Sequence, residues 1–159
     1  MIDVKADSIL MLPNDELISK FEKFHRVVFP NDYRVFIKKN NGAIPIFNTF
    51  EFNNHEYLVE RFLCLLGNKK NDVEEGWADI GVIVTQMFDR LTDDGDKLGI
   101  PIIPIAVLFA GDFVCLDFRD MPENPVVCIW YHEESIPFCP VTEKISDSFG
   151  EFLSILERE

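Results

Sequence analysis

The sequence predicts an α+β fold, in which an antiparallel β-meander packs with helices from the N-terminal, middle and C-terminal parts of the chain. Apolar residues recur with helical spacing near both termini. Between these segments, short apolar runs alternate with turn-forming residues, at intervals that suit hairpins better than crossover helices. A length of 159 residues fits one domain, and we expect residues 1–159 to form it.

Two helices are predicted at the N-terminus. The first can be capped by Asn14 or Asp15 and stops at Pro30, and its apolar stripe has spacings of four, three and four residues: Leu17, Phe21, Phe24 and Val28. The second begins at residue 31 or 32 and ends at Asn40-Asn41-Gly42, since Asn and Gly tolerate the left-handed conformation of a helix end. Its apolar face consists of Tyr33, Phe36 and Ile37.

The middle of the chain predicts a hairpin and a third helix. Residues 49–52 and 56–66 are expected to be strands, joined by a tight turn at Asn53-Asn54. Residues 68–76 are polar and predict a loop. A helix follows over residues 79–91, with Ile80, Ile83, Val84 and Met87 on one side.

The second half predicts the meander and a closing helix. Four strands are expected over residues 102–109, 113–118, 126–131 and 136–141, with Pro104 and Pro125 at strand starts or edges. Ser148 and Glu151 match a capping box, in which each residue satisfies a free N–H of the first turn. The buried stripe of this helix is Phe149, Phe152, Leu153 and Leu156.

The net charge of −13 is concentrated in the second half of the chain. Residues 1–80 carry 10 basic against 13 acidic residues, a net of −3, and residues 81–159 carry 5 against 15, a net of −10. Such a field repels phosphate, so direct nucleic-acid binding is disfavoured, and it speeds encounter with a basic partner. The alternative is that the acidity only keeps the protein soluble.

The sequence also predicts a cytoplasmic protein that is not bound to a membrane. Asp3 and Asp7 interrupt any secretory apolar region, and no apolar run reaches the roughly 18 residues of a membrane span. The four cysteines form no CxxC pair, and Cys115 and Cys128 lie in apolar runs, where core packing is the simplest role.

No catalytic, cofactor or metal site is predicted, and we expect the protein not to be an enzyme. The sequence has neither a zinc-protease motif, nor a G-x-S-x-G elbow, nor a phosphate-binding loop. The segment 92–96 resembles a calcium loop only superficially. With Gly95 at the sixth position, Arg90 and Pro101 occupy the first and twelfth, which require Asp and Glu.

The candidate interface residues are one exposed aromatic residue and two acidic groups. Trp77 lies in a polar context, and aromatic side chains dominate binding hot spots. The acidic groups are expected at turns, where the alternative is that they are simply solvated. They are Asp93, Asp94 and Asp96, then Asp112, Asp117, Asp120, Glu123, Glu133 and Glu134.

An ordered set of motifs resembles the SUKH superfamily. The segment 29–36 followed by Asn40-Asn41-Gly42 resembles its signature of a Pro break, a Tyr-containing helix and an Asn-Gly stop. Residues 103–106 resemble its central strand, residues 111–117 its "Gly-Asp, apolar run, Asp" hairpin, and residues 125–133 its next strand. Ser148-Phe149 with Phe152-Leu153 resembles its closing helix, so the likeness runs from residue 29 to residue 153.

The resemblance implies a strongly bent antiparallel sheet with helices around it and no cofactor. Bacterial members are typically immunity proteins that bind and neutralise secreted polymorphic toxins, many of them nucleases. The resemblance therefore implies a cognate toxin or another basic protein as partner. The alternative is an intracellular regulatory or scaffolding module, as in fungal relatives that act in cell-wall synthesis regulation.

Overall fold

The computed structural model describes residues 2–156, which contain four α-helices and six β-strands. The helices are α1 (Asp15–His25), α2 (Asn31–Asn40), α3 (Ile80–Met87) and α4 (Phe149–Leu156). The strands are β1 (Thr49–Phe52), β2 (His55–Phe62), β3 (Ile102–Leu108), β4 (Phe113–Asp117), β5 (Val126–Trp130) and β6 (Thr142–Ser146). Short 3₁₀ helices span Ala6–Ser8, Gly67–Asp72, Glu74–Ala78 and Phe88–Arg90.

The strands form one sheet in sequence order, β1 to β6, and each pairs antiparallel with the next. The predicted α+β fold with an antiparallel meander is therefore confirmed. All residues of β3 are buried, so both faces of the sheet are covered at its centre. Helix α3 packs on β3, and α4 packs on α2, β1, β5 and β6.

Register shifts interrupt the β2–β3, β3–β4 and β5–β6 pairings, and irregularities of this kind bend and twist strands. The shift between β3 and β4 lies at Pro104, inside a strand with a neighbour on each side. The expectation that Pro104 lies at a strand start or sheet edge is therefore wrong. A bulge admits proline there, because its missing N–H falls where the ladder is already interrupted.

The second helix and the first hairpin form as predicted. Tyr33, Phe36 and Ile37 are buried in α2, and the rings of Tyr33 and Phe36 each lie 5.1 Å from the ring of Phe149 in α4. The hairpin turn places Asn53 and Asn54 at φ values of 52° and 63°, the left-handed pair of a type I′ turn. These local signals depend on neighbouring residues alone, which explains their success.

The predicted apolar stripe of the first helix is confirmed for Leu17 and Phe21, which pack on the core, and wrong for Phe24 and Val28. Helix α1 buries Ile18, Phe21, Glu22 and His25, whereas Phe24 is 77% exposed and Val28 is 71% exposed. Glu22 turns inward because its carboxylate accepts a hydrogen bond from the Phe29 N–H at 2.7 Å and pairs with Arg34 at 2.9 Å. The helix also ends at His25, and Pro30 precedes α2 instead of stopping α1.

The last strand lies later in the chain than predicted. Residues 136–141 form turns, and β6 runs from Thr142 to Ser146. Pro137 and Pro140 lack the N–H that a ladder requires, and Phe138 adopts a left-handed φ of 60°. Two further segments differ modestly: β2 ends at Phe62, and much of the predicted loop 68–76 forms 3₁₀ turns.

The third and fourth helices follow the sequence closely. Helix α3 begins at its Asp79 cap, whose carboxylate accepts from the Val82 N–H, and it passes into 3₁₀ structure after Met87. Before α4, the Ser148 hydroxyl accepts from the Glu151 N–H, and the Glu151 carboxylate accepts from the Asp147 N–H. No helix among residues 2–156 is long and apolar enough to cross a lipid bilayer.

Candidate functional site

An acidic groove of about 550 Å³ lies at one end of the meander. Because adjacent strands are antiparallel, the ends of β1, β3 and β5 meet the starts of β2, β4 and β6 there. The turn residues of three connections therefore converge, although they are far apart in sequence. The groove is lined by Asn53, His55, Tyr57, Ala110, Asp112, Tyr131, Glu133, Glu134 and Glu143.

Glu143 is held at the centre of a hydrogen-bond network in this groove. One carboxylate oxygen accepts from the Tyr131 hydroxyl at 2.9 Å, and the other accepts from the Asn53 side-chain amide at 2.9 Å. The hydroxyls of Tyr57 and Tyr131 lie 3.5 Å apart. Burial, followed by the hydrogen bonds to Tyr57 and Glu143, raises the pKa of the Tyr131 phenol, so it stays protonated and remains a donor.

The remaining carboxylates of the groove differ in whether they already have a hydrogen-bond partner. Asp112 accepts a hydrogen bond from the His132 backbone N–H at 2.8 Å, which ties the β3–β4 turn to the segment after β5. Glu133 and Glu134 are exposed, and neither side chain has a hydrogen bond or salt bridge within residues 2–156. No Lys or Arg is among the described lining residues, so the groove is suited to accept hydrogen bonds and pair with cations.

A second group of predicted residues surrounds Arg119, which lies shortly after β4. The guanidinium donates to both carboxylate oxygens of Asp117, at 3.0 and 2.9 Å, and to the Thr142 hydroxyl at 3.0 Å. Its remaining nitrogen lies 3.5 Å from Asp93. The hydrogen bonds to Asp117 raise the pKa of Arg119. Asp93 and Asp117 therefore face a compensating charge, while the nearby Asp120 is exposed.

The other predicted interface residues lie apart from the acidic groove. Asp94 and Asp96 are exposed in one turn, where the Asp94 carboxylate accepts from the Asp96 N–H at 2.9 Å. Glu123 lines a different, largely apolar groove. Trp77 is 50% exposed in the 3₁₀ helix Glu74–Ala78. Within residues 2–156, no three His, Cys, Asp or Glu side chains are grouped so that they could hold a metal ion.

The structure thus brings together Asp112, Glu133 and Glu134 of the ten predicted residues, and adds partners that the sequence reading missed. Glu143 was missed because β6 was expected before it, over residues 136–141. The sequence pattern assigns Tyr57 and Tyr131 only to strands. A usable signal existed: alternate connections of a meander lie at the same end of the sheet, so the turns at 53–54, 110–112 and 132–134 must meet.

The fold and the groove together define a class of protein. It is an α+β protein built on a six-stranded meander, with a surface groove that can accept hydrogen bonds and pair with cationic side chains. In a comparison with protein families, the SUKH_6 model, described as SMI1-KNR4 cell-wall, matches residues 15–153. The chain belongs to this family, and the predicted membership of the SUKH superfamily is confirmed. A search of curated protein sequences found no match. The family is generally non-enzymatic and acts through protein–protein contacts.

Proposed function

We propose that the protein is an immunity protein that binds and neutralises a cognate polymorphic toxin through the acidic groove. The observation that carries this proposal is the gathering of Asp112, Glu133, Glu134 and Glu143 in one groove without a basic lining residue. A toxin that cleaves nucleic acid must present Lys and Arg side chains to phosphate. Carboxylates arranged on a groove can occupy those side chains in place of the substrate.

The groove also has the side chains that turn electrostatic attraction into a specific contact. Tyr57 and Tyr131 offer rigid amphipathic surface, a residue type enriched in binding hot spots. Glu143 is already fixed by Tyr131 and Asn53, so a partner cation does not have to order it. The surrounding negative field accelerates encounter with a basic partner, and added salt weakens this effect.

The proposal ranks the predicted interface residues by their pairing. Glu133 and Glu134 are the primary contacts, because nothing in residues 2–156 neutralises them. Asp94, Asp96 and Asp120 add to the general field from exposed turns. Asp93 and Asp117 contribute less, because they share Arg119. Trp77 and Glu123 lie outside the groove lining and form no part of the proposed primary contact.

A regulatory module is the second candidate function. The description of the matching family refers to the cell wall, which favours a role in controlling its synthesis. In that case the groove would bind a basic segment of an endogenous protein, and no toxin gene would lie next to the gene for this chain. The binding surface would be the same in both cases, and the partner would differ.

The test is co-expression with the neighbouring toxin, using wild type and the double variant Glu133→Gln/Glu134→Gln. We expect co-expressed wild type to prevent killing. In association kinetics at low salt, we expect the double variant to bind the toxin roughly tenfold more slowly than wild type does. A matched control is Asp72→Asn/Glu74→Gln, which removes two exposed charges from a different surface. Killing that continues with wild type present, or equal slowing by both double variants, would contradict the proposal.

A further inference from the structure

An exposed apolar surface lies at the end of the meander opposite the acidic groove. It is formed by the end of α1, the end of α3 and the segment before β3. Four large apolar side chains project from it: Phe24 (77% exposed), Val28 (71%), Leu98 (67%) and Phe88 (56%). Large contiguous apolar surface is costly in water and often marks an interaction site.

The surface is shaped as two adjoining grooves, and Leu98 lines both. One, of about 540 Å³, contains Phe24, Val84 and Phe88. The other, of about 590 Å³, contains Val28, Phe118 and Pro122. The grooves share five lining residues: His25, Arg26, Lys97, Leu98 and Ile100. Each groove is large enough to accept a bulky apolar group.

The segment between the grooves is already fixed on α1. The Ile100 N–H donates to the His25 carbonyl at 3.2 Å. Gly99 has a φ of +84°, and a Cβ at this position would lie 2.2 Å from the same carbonyl oxygen. Only glycine permits so close an approach of the two backbones. The grooves are therefore preformed, and a partner would not have to order the segment that separates them.

The charge of this surface is opposite to that of the protein as a whole. Arg26 and Lys97 are exposed and line both grooves, and neither forms a salt bridge within residues 2–156. No acidic residue lines the groove that contains Phe88, and Glu123 is the acidic lining residue of the other. In a chain with a net charge of −13, two unpaired cations beside exposed apolar side chains indicate a partner with carboxylates.

We propose that the paired grooves bind an acidic amphipathic helix of a partner protein. A helix satisfies its own backbone hydrogen bonds, so it can lie on apolar side chains that offer none. An added strand would need a free sheet edge, but the edge strands β1 and β6 do not line these grooves. Apolar side chains four residues apart lie on one face of a helix, about 6 Å apart, so a helix can present one anchor to each of two adjoining grooves.

This surface is independent of the proposed toxin contact. The segment before β3 lines the paired grooves, and the turn after β3 lines the acidic groove. The seven residues of β3 separate the two sites by about 20 Å. A basic partner at one end and an acidic helix at the other could therefore be bound at the same time.

The test uses a fluorescent synthetic helix of about 18 residues, with Leu on one face and Glu at the remaining positions. A second peptide carries Lys in place of every Glu. Fluorescence anisotropy at physiological salt should show saturable binding of the Glu peptide to the full chain. Two variants, Leu98→Ser and Arg26→Gln/Lys97→Gln, should each weaken this binding at least about tenfold. The matched controls Leu12→Ser and Lys20→Gln/Lys69→Gln change exposed residues outside the grooves and should bind as wild type does.

Several outcomes would overturn the inference. They include no saturable binding of the Glu peptide, affinity unchanged by Leu98→Ser, or equal losses in the control variants. Equally tight binding of the Lys and Glu peptides at the same site would also overturn it, because Arg26 and Lys97 would then have no role in selecting the partner. Sedimentation of the chain without peptide tests a second copy as the occupant. Self-association that Leu98→Ser abolishes, without Glu-peptide binding, would assign the surface to that contact instead.

Discussion

Replacing Asn41 by alanine is expected to destabilise the fold by about 3 kcal/mol. This buried side chain joins the segment before α1 to the segment after β2. Its amide nitrogen donates to the carbonyls of Met11, at 2.7 Å, and Leu65, at 3.0 Å, and its oxygen accepts from the Leu65 N–H at 2.9 Å. Each bond contributes about 1 kcal/mol, and their loss leaves buried backbone groups of Leu65 without partners. Since domains are stable by about 5–15 kcal/mol, the variant should still fold.

The assay is urea unfolding followed by tryptophan fluorescence, which reports the exposure of the buried Trp130. Asn68→Ala, at an exposed position, is the matched control and should change stability by no more than about 0.5 kcal/mol. Asn41→Asp should cost more than Asn41→Ala, because a carboxylate oxygen would then face two carbonyl oxygens. A loss below about 1 kcal/mol for Asn41→Ala, with an unchanged denaturant slope, would refute the assigned role.

Two further predictions concern the junction between α1 and the segment before β3. Gly99→Ala should lower the free energy of unfolding by at least about 2 kcal/mol, and Gly111→Ala should lower it clearly less. Both glycines have a positive φ, but only at Gly99 would a Cβ collide with backbone atoms. Equal losses of stability in thermal unfolding would contradict this. Burial lowers the pKa of His25, so the unfolded chain binds more protons between the lowered value and about 6.5. Wild type should therefore lose more stability than His25→Gln as the pH falls from about 7.5 to 5. Parallel stability profiles would show that His25 does not contribute.

The sequence predicted those parts of the fold that depend on local signals. The Asn53-Asn54 turn, the Ser148 cap and the apolar face of α2 each need only neighbouring residues to be recognised. The prediction of which face of α1 is buried failed in part, because that face depends on a partner distant in sequence. Glu22 is turned inward by Arg34 and by the Phe29 N–H, and no periodicity of apolar residues contains that information.

The sequence predicts the residue types of the candidate site, acidic side chains at turns, but not which particular residues line it. The sequence pattern groups carboxylates at turns, and the meander brings three of them, Asp112, Glu133 and Glu134, to one groove. Glu143 could not be included while β6 was placed over residues 136–141. Conversely, the charge of Asp117 is compensated by Arg119, two residues away, through a bidentate contact that sequence spacing alone does not establish.

The buried residues in the helical part of the family resemblance and the exposed carboxylates of the acidic groove have different physical roles. Tyr33 is buried against Phe149, and Asn41 holds the backbone of two segments, so a change at either is expected to damage the scaffold. Glu133 and Glu134 contribute no hydrogen bond within residues 2–156. Their replacement should therefore change the free energy of unfolding by no more than about 0.5 kcal/mol. A slower association with a toxin, measured in a variant of unaltered stability, can then be assigned to recognition and not to loss of fold.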